Sequence, residues 1–172
     1  FVFNNLKNEN KIGYFKTELI NPVSPIYFND KERTSALISI CSLLNTLLPE
    51  FQPYKNIYKS FEKFISSLSL DNWIVLYIFF EINLIKELGY DVNLSTFKDS
   101  KADIYSTKKI KIDGYNYEVP NILIKQEIPN EITQHLIKKS LIFTRSIFLN
   151  KFFIPNNLIF PKSRIILENY FY

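Results

Sequence analysis

Residues 71–90 read Asp71-Asn72-Trp73-Ile74-Val75-Leu76-Tyr77-Ile78-Phe79-Phe80-Glu81-Ile82-Asn83-Leu84-Ile85-Lys86-Glu87-Leu88-Gly89-Tyr90. The pattern predicts one helix, capped by Asp71 and ended by Gly89 at the C′ position, where a left-handed backbone suits glycine. Residues 73–80 are apolar on every side, and a helix of that kind belongs in the centre of a bundle. Glu81 follows eight apolar residues in a row. A carboxylate placed so deep needs a cation or backbone donors, so a structural ion pair is expected there.

Two helices precede this one. Asn29 or Asp30 offers an N-cap for the first, with Glu32 three residues after Asn29. Ala36, Leu37, Ile40, Leu43, Leu44 and Leu47 then recur at helical spacing, and Cys41 within that stretch reads as a small hydrophobe. Pro49 and Pro53 separate it from a second helix, whose apolar stripe is Tyr54, Ile57, Tyr58, Phe61, Phe64, Ile65 and Leu68.

After residue 92 the pattern changes. Residues 104–107, 110–112 and 115–119 read as short strands, turning at Lys108-Lys109 and at Asp113-Gly114. The second turn is a strong hairpin signal. Asn130, after Pro129, is expected to cap another helix with Ile132, Leu136, Ile137, Leu141, Phe148 and Phe152 on its apolar faces. Pro155 and Asn156-Asn157 end it, and a last short helix starts near Pro161. At the other end, residues 1–3 and 12–20 read as strands around a turn at Asn8, Glu9 and Asn10, with Pro22 and Pro25 marking a linker. Two strands alone are not stable, so they are read as the end of a β domain whose beginning is absent. The chain starts at Phe1 and contains no methionine, so a fragment lacking its N-terminus is expected.

The 172 residues suit one domain with a small appendage, and 47% hydrophobic content supplies a sizeable core. A net charge of +4 tolerates a nucleic-acid or acidic partner without demanding one. The single cysteine excludes an intrachain disulfide and a cysteine zinc cage, and it fits a reduced, cytoplasmic setting. The longest apolar run is far short of the ~20 residues that span a bilayer, so no membrane partner is expected.

Residues 80–90 resemble the FE-x-x-LL-x-x-LGY signature of RecO proteins, carried here by Phe80, Glu81, Leu84, Leu88, Gly89 and Tyr90. Gly13-Tyr14-Phe15-Lys16 and the linker resemble that family's exit from its OB-fold. The helix over 36–48 with Pro49-Glu50 and Pro53-Tyr54, then Phe143-Thr144-Arg145, then Pro161-Lys162-Ser163-Arg164, resemble three further family segments. The resemblance implies a mainly α fold: a helical bundle at 28–172, a β-hairpin insertion at about 93–121, and the last strands of a truncated N-terminal OB-fold at 1–22. In some relatives the insertion carries four zinc-binding cysteines. Here 93–119 holds neither Cys nor His, so no metal and no cofactor is expected.

The resemblance also implies a bacterial recombination mediator in DNA repair, acting at the nucleoid. It would bind single-stranded DNA and the acidic tail of the single-stranded-DNA-binding protein, promote annealing, and load RecA together with RecR. A helical protein-interaction module without DNA contact is the alternative.

No constellation supports catalysis. His135 is the only histidine and reads as a partly buried structural residue. Glu81 and Glu87 are six apart and do not face each other as an acid/base pair. Tyr54, Phe61 and Phe64 read as packing. Tyr14 and Phe15 lie on an OB-type strand, where one of them could stack on a base. The candidate contacts to phosphate or to an acidic tail are Lys138, Lys139, Arg145, Lys151, Lys162 and Arg164, with Lys16 and Tyr14 on the strand. Lys138 and Arg145 are seven apart and share a helical face. Such a cluster otherwise reads as a solvated surface. One departure stands out: some relatives carry arginines just before the Phe-Glu pair, where this chain has Ile78 and Phe79.

Overall fold

The computed structural model describes residues 2–4, 14–16, 18, 22–90, 92–99 and 102–172. Two short strands, β1 (Val2–Asn4) and β2 (Tyr14–Lys16), pair antiparallel, with Val2 opposite Lys16 and Asn4 opposite Tyr14. The expected turn at Asn8 to Asn10 and most of the expected strand over 12–20 lie outside the described residues.

The bundle begins with α1 (Lys31–Leu47), α2 (Lys55–Ser67) and α3 (Trp73–Glu87). Of the two candidate caps for α1, Asp30 takes the role: its Oδ1 accepts from the Arg33 amide at 3.0 Å. The Arg33 side chain fastens this end to the α2–α3 turn, donating from Nε to the Leu68 carbonyl at 2.6 Å and lying 5.3 Å over the Trp73 ring. Ala36, Ser39, Ile40 and Leu43 form the buried face of α1. Cys41 does not join it, contrary to the expectation. It is exposed, on the outward line with Ile38 and Asn45.

α3 is the central helix. Trp73, Ile74, Val75, Tyr77, Ile78, Phe80, Glu81, Leu84 and Ile85 are all buried, which is why this segment needs no polar face. Each large apolar side chain there contributes about 1.5–3 kcal/mol by leaving water. The N-cap position is Asn72 rather than Asp71, and it makes no side-chain capping bond. At the other end Gly89 has φ +90°, with its amide bonded to the Lys86 carbonyl at 2.9 Å and that of Tyr90 to the Ile85 carbonyl at 3.2 Å. This pair of bonds is a Schellman motif, which satisfies the last carbonyls and turns the chain.

β3 (Thr107–Ile112) and β4 (Tyr115–Pro120) form the hairpin. Asp113 and Gly114 have φ of 49° and 86°, the two positive values of a type I′ turn, which fixes the register. That register carries Lys108 and Lys109 into the ladder opposite Val119 and Glu118, so they form no turn, and 104–107 adds no third strand. Ile110, Tyr117 and Val119 are the buried side of the hairpin. Its tip is clasped to the bundle: the Tyr90 hydroxyl donates to Asp113 Oδ2 at 2.8 Å, and Lys151 Nζ approaches the same oxygen at 2.7 Å.

A short unanticipated helix, α4 (Asn121–Lys125), follows, with Asn121 donating to the Asp103 carbonyl and Ser106 Oγ at 2.7 Å each. α5 (Gln134–Phe148) is capped by Thr133, whose Oγ1 accepts from the Leu136 amide at 3.3 Å, and not by Asn130. It continues into a π-helical turn (Leu149–Phe153), and α6 (Lys162–Asn169) closes the bundle. His135 is exposed, since α5 buries Leu136, Ile137, Ser140, Leu141 and Thr144 on another face.

Gly89→Ala should lower stability by about 1 kcal/mol, because an L side chain is disfavoured at that φ. No atom lies within 4 Å of an added Cβ, so the cost is backbone strain alone, and Gly89→Asn should cost less. Urea unfolding checks this: an Ala variant as stable as the parent would show that this turn is not left-handed in solution.

Candidate nucleic-acid and partner interface

The anticipated cations do not gather on one surface. Arg164 is wholly buried and therefore cannot reach phosphate; this corrects its reading as a surface contact. Its Nε donates to Glu81 Oε1 at 2.5 Å, and its Nη2 to Glu81 Oε2 at 3.0 Å and the Leu141 carbonyl at 3.0 Å. Glu81 is satisfied on its other side by the Tyr77 hydroxyl at 2.8 Å and Thr144 Oγ1 at 2.6 Å. Ser39 Oγ lies 2.7 Å from the Tyr77 hydroxyl, which brings α1 into the same network. Burial pushes the Tyr77 phenol well above its ordinary pKa, and the Glu81 charge adds to that against the opposing pull of Arg164. Burial is the largest single influence and would lower the Arg164 pKa, but the attraction and hydrogen bonding of Glu81 together with Tyr77 and Glu168 outweigh it, and the guanidinium stays charged.

The network reaches the surface through Glu168. This buried carboxylate takes Arg164 Nη1 at 3.3 Å and Arg145 Nη1 at 3.1 Å. Tyr172 donates its hydroxyl to Glu168 at 2.9 Å, and Lys138 Nζ sits 3.8 Å over the Tyr172 ring. Lys138 and Arg145 thus share a face, but that face is turned to the end of α6. Lys139 pairs with Glu118 at 2.5 Å and Lys151 with Asp113 at 2.7 Å. Lys162 is exposed and makes no ion pair among the described residues. Tyr14 and Lys16 fall on β2, apart from all of these in sequence.

Sequence reasoning missed a feature on the outward side of α3. There Ser60, Lys63, Phe64, Ser67, Leu76, Phe79, Phe80 and Asn83 line a mostly apolar groove of about 180 Å³ between α2 and α3. Phe79 and Asn83 also belong to a second concavity of about 290 Å³ toward α4, with Ile82, Lys86, Leu123 and Gln126. The two share Phe79 as a partly buried apolar floor, with exposed Lys63 and Lys86 on the rims. Asn83 Nδ2 donates to Ser60 Oγ at 2.8 Å and spans α3 to α2. The signal was present in Phe79, an aromatic just before the Phe80-Glu81 pair. Its meaning depends on the docking of α2 and α4, which periodicity does not give.

Among the described residues no three His, Cys, Asp or Glu side chains converge as metal ligands would, and no helix is long and apolar enough to cross a membrane. The family model described as "Recombination protein O C terminal" matches residues 29–107. The protein named "DNA repair protein RecO" from Wolbachia sp. subsp. Drosophila simulans (strain wRi) is 25% identical over 174 aligned residues, covering 91% of this chain and 72% of that protein. The protein of that name from Rickettsia canadensis (strain McKiel) is 28% identical, covering 85% and 65%. Its counterpart in Anaplasma marginale (strain Florida) is 31% identical over 85 residues, covering 49% of this chain and 36% of its own length. No solved structure matches the chain.

Replacing Arg164 by Met should cost about 3–5 kcal/mol, because it strands Glu81 without a cation in the core. The double change Glu81→Gln with Arg164→Met should cost less than the sum of the two singles. Urea titrations of the four proteins measure the coupling, and strictly additive costs would contradict a shared buried pair.

Proposed function

The chain belongs to the RecO family of DNA repair proteins, and from that premise we propose that it acts as a recombination mediator. In this reading it binds single-stranded DNA and the acidic tail of the single-stranded-DNA-binding protein, promotes annealing, and loads RecA together with RecR. No covalent chemistry is involved. The mechanism is competitive binding, with lysines replacing the counterions of phosphates and carboxylates.

The groove beside Phe79 carries the proposal. An acidic tail that ends in an apolar residue and a carboxylate needs an apolar slot with a cation at its edge. The groove offers Phe79, Phe80 and Leu76 as the slot and Lys63 at the rim. The absence of arginines at Ile78 and Phe79 then means that the cation comes from α2 rather than from α3. Tail contacts at Lys138 and Arg145, proposed from sequence, are less suited, because those groups already hold Tyr172 and Glu168. For the strand, Lys16, Tyr14, Lys139, Lys151 and Lys162 remain proposed contacts. Lys139 and Lys151 would have to exchange a carboxylate for a phosphate.

A protein-interaction module without DNA contact is the second reading. It is favoured by one observation: Lys139, Arg145, Lys151 and Arg164 are each engaged by a carboxylate of the chain itself.

Anisotropy of a labelled acidic tail peptide, titrated with this chain, tests the main proposal. Phe79→Ala and Lys63→Glu should each weaken binding about tenfold or more, while Lys162→Ala leaves it unchanged. If the parent binds the tail no better than a scrambled peptide, tail recognition by this chain is wrong.

A further inference from the structure

The α1–α2 loop and the outer face of α2 carry features that the bundle does not use. Phe51 is fully exposed, at 101% of its reference area, and its backbone has φ 60°. A bulky residue is disfavoured in the left-handed region, where Gly or Asn sits without strain. Phe51 therefore gains neither backbone ease nor burial in the free protein. Pro49 and Pro53 bracket the loop and restrict the ways it can relax. A strained, uncovered aromatic is a reason to look for a ligand that covers it.

The adjoining surface of α2 indicates which ligand. Tyr58 is 61% exposed. With Tyr54, Lys55, Lys59 and Glu62 it lines a shallow concavity with mostly apolar walls. Lys55, Lys59 and Lys63 fall at i, i+4 and i+8, one line along the helix, about 6 Å apart by helical rise. All three are exposed, and none makes an ion pair among the described residues. This contrasts with the cations of α5. Successive positive charges at that interval are comparable in spacing to the phosphates of an extended strand. The exposed Tyr58 ring within this concavity, and the Phe51 ring four residues before Lys55 in the chain, offer π-faces to unstacked bases of any sequence. Glu62 is the one acid in the concavity, and its hydrogen bond to the Tyr58 hydroxyl raises that phenol's pKa.

We propose that Phe51, Tyr58, Lys55 and Lys59 form a binding platform for single-stranded nucleic acid, the rings stacking on bases and the ammonium groups meeting phosphates. The platform deepens the mediator reading and rests on its single-stranded-DNA partner. It sits on α2, away from the basic residues of α5 and α6 that sequence reasoning selected.

Titration of labelled oligothymidylate, followed by anisotropy at several salt concentrations, tests it. Phe51→Asn and Tyr58→Ala should each weaken binding about five- to a hundredfold, the range for loss of one base stack. Asn tolerates φ 60°, so Phe51→Asn should leave the unfolding midpoint unchanged or raised while binding falls, which a merely structural role would not produce. Lys55→Ala with Lys59→Ala should reduce the slope of log affinity against log salt by about 1.4. Glu62→Gln should tighten binding. The acidic tail peptide, titrated against the same variants, should bind as it does to the parent. If the parent binds oligothymidylate and these variants bind equally well, the platform is wrong and the mediator reading stands. If the parent does not bind it at all, the platform and the single-strand part of that reading fall together. If the variants lose the tail peptide instead of the oligonucleotide, this surface serves a protein partner and the platform is overturned.

Discussion

Glu81 and Arg164 stand 83 residues apart in sequence, and their buried ion pair is the contact around which the bundle closes. α3 supplies Glu81 and Tyr77, α5 supplies Thr144 and the Leu141 carbonyl, α6 supplies Arg164 and Glu168, and α1 reaches in through Ser39. Two charges taken out of water are costly unless every lone pair and proton is used, and here nearly all are. Such a network adds less to net stability than apolar packing of equal volume. What it enforces is geometry, since a shift of one helix against another would strand a charge in a medium that cannot solvate it.

The consequence for function is indirect. Arg164 and Arg145 are cations committed to holding α6, so the last helix is not a free electropositive face. Lys151 and Lys139 likewise fasten the hairpin, at its turn and on its second strand. The hairpin is therefore attached by ion pairs and by the packing of Ile110, Tyr117 and Val119. Exposed cations that make no ion pair among the described residues lie elsewhere, Lys55, Lys59 and Lys63 of α2 among them. The same helix borders the apolar groove at Phe79, so the surface proposed for partners is formed by α2 with the outer side of α3.

Most of the helical architecture was legible in the sequence. The apolar run of α3, the Pro49 and Pro53 breaks, the Asp113-Gly114 turn and Gly89 each act through local backbone preference, and each specifies its element without tertiary help. The errors share a cause as well. Asn130 and Asp71 are good capping residues by type, yet Thr133 and Asn72 occupy the cap positions, because where a helix starts depends on where the chain meets its neighbours. Lys108-Lys109 resembled a turn, but a two-residue loop at 113–114 sets a register that runs straight through it. Cys41 and His135 sit among apolar neighbours in sequence and face water in space, since adjacent helical positions point about 100° apart.

The sequence by itself determined that this is a helical bundle with a hairpin, built on a central apolar helix with one carboxylate that must be paired. Periodicity, breakers and the cost of a bare buried charge are local or one-body properties, and they can be read residue by residue. Only the tertiary structure decided which cation answers Glu81, and hence which basic residues remain for partners. A surface arginine and a buried one look alike in sequence. The difference lies in which helix faces which, and that is fixed by the packing of all the helices together.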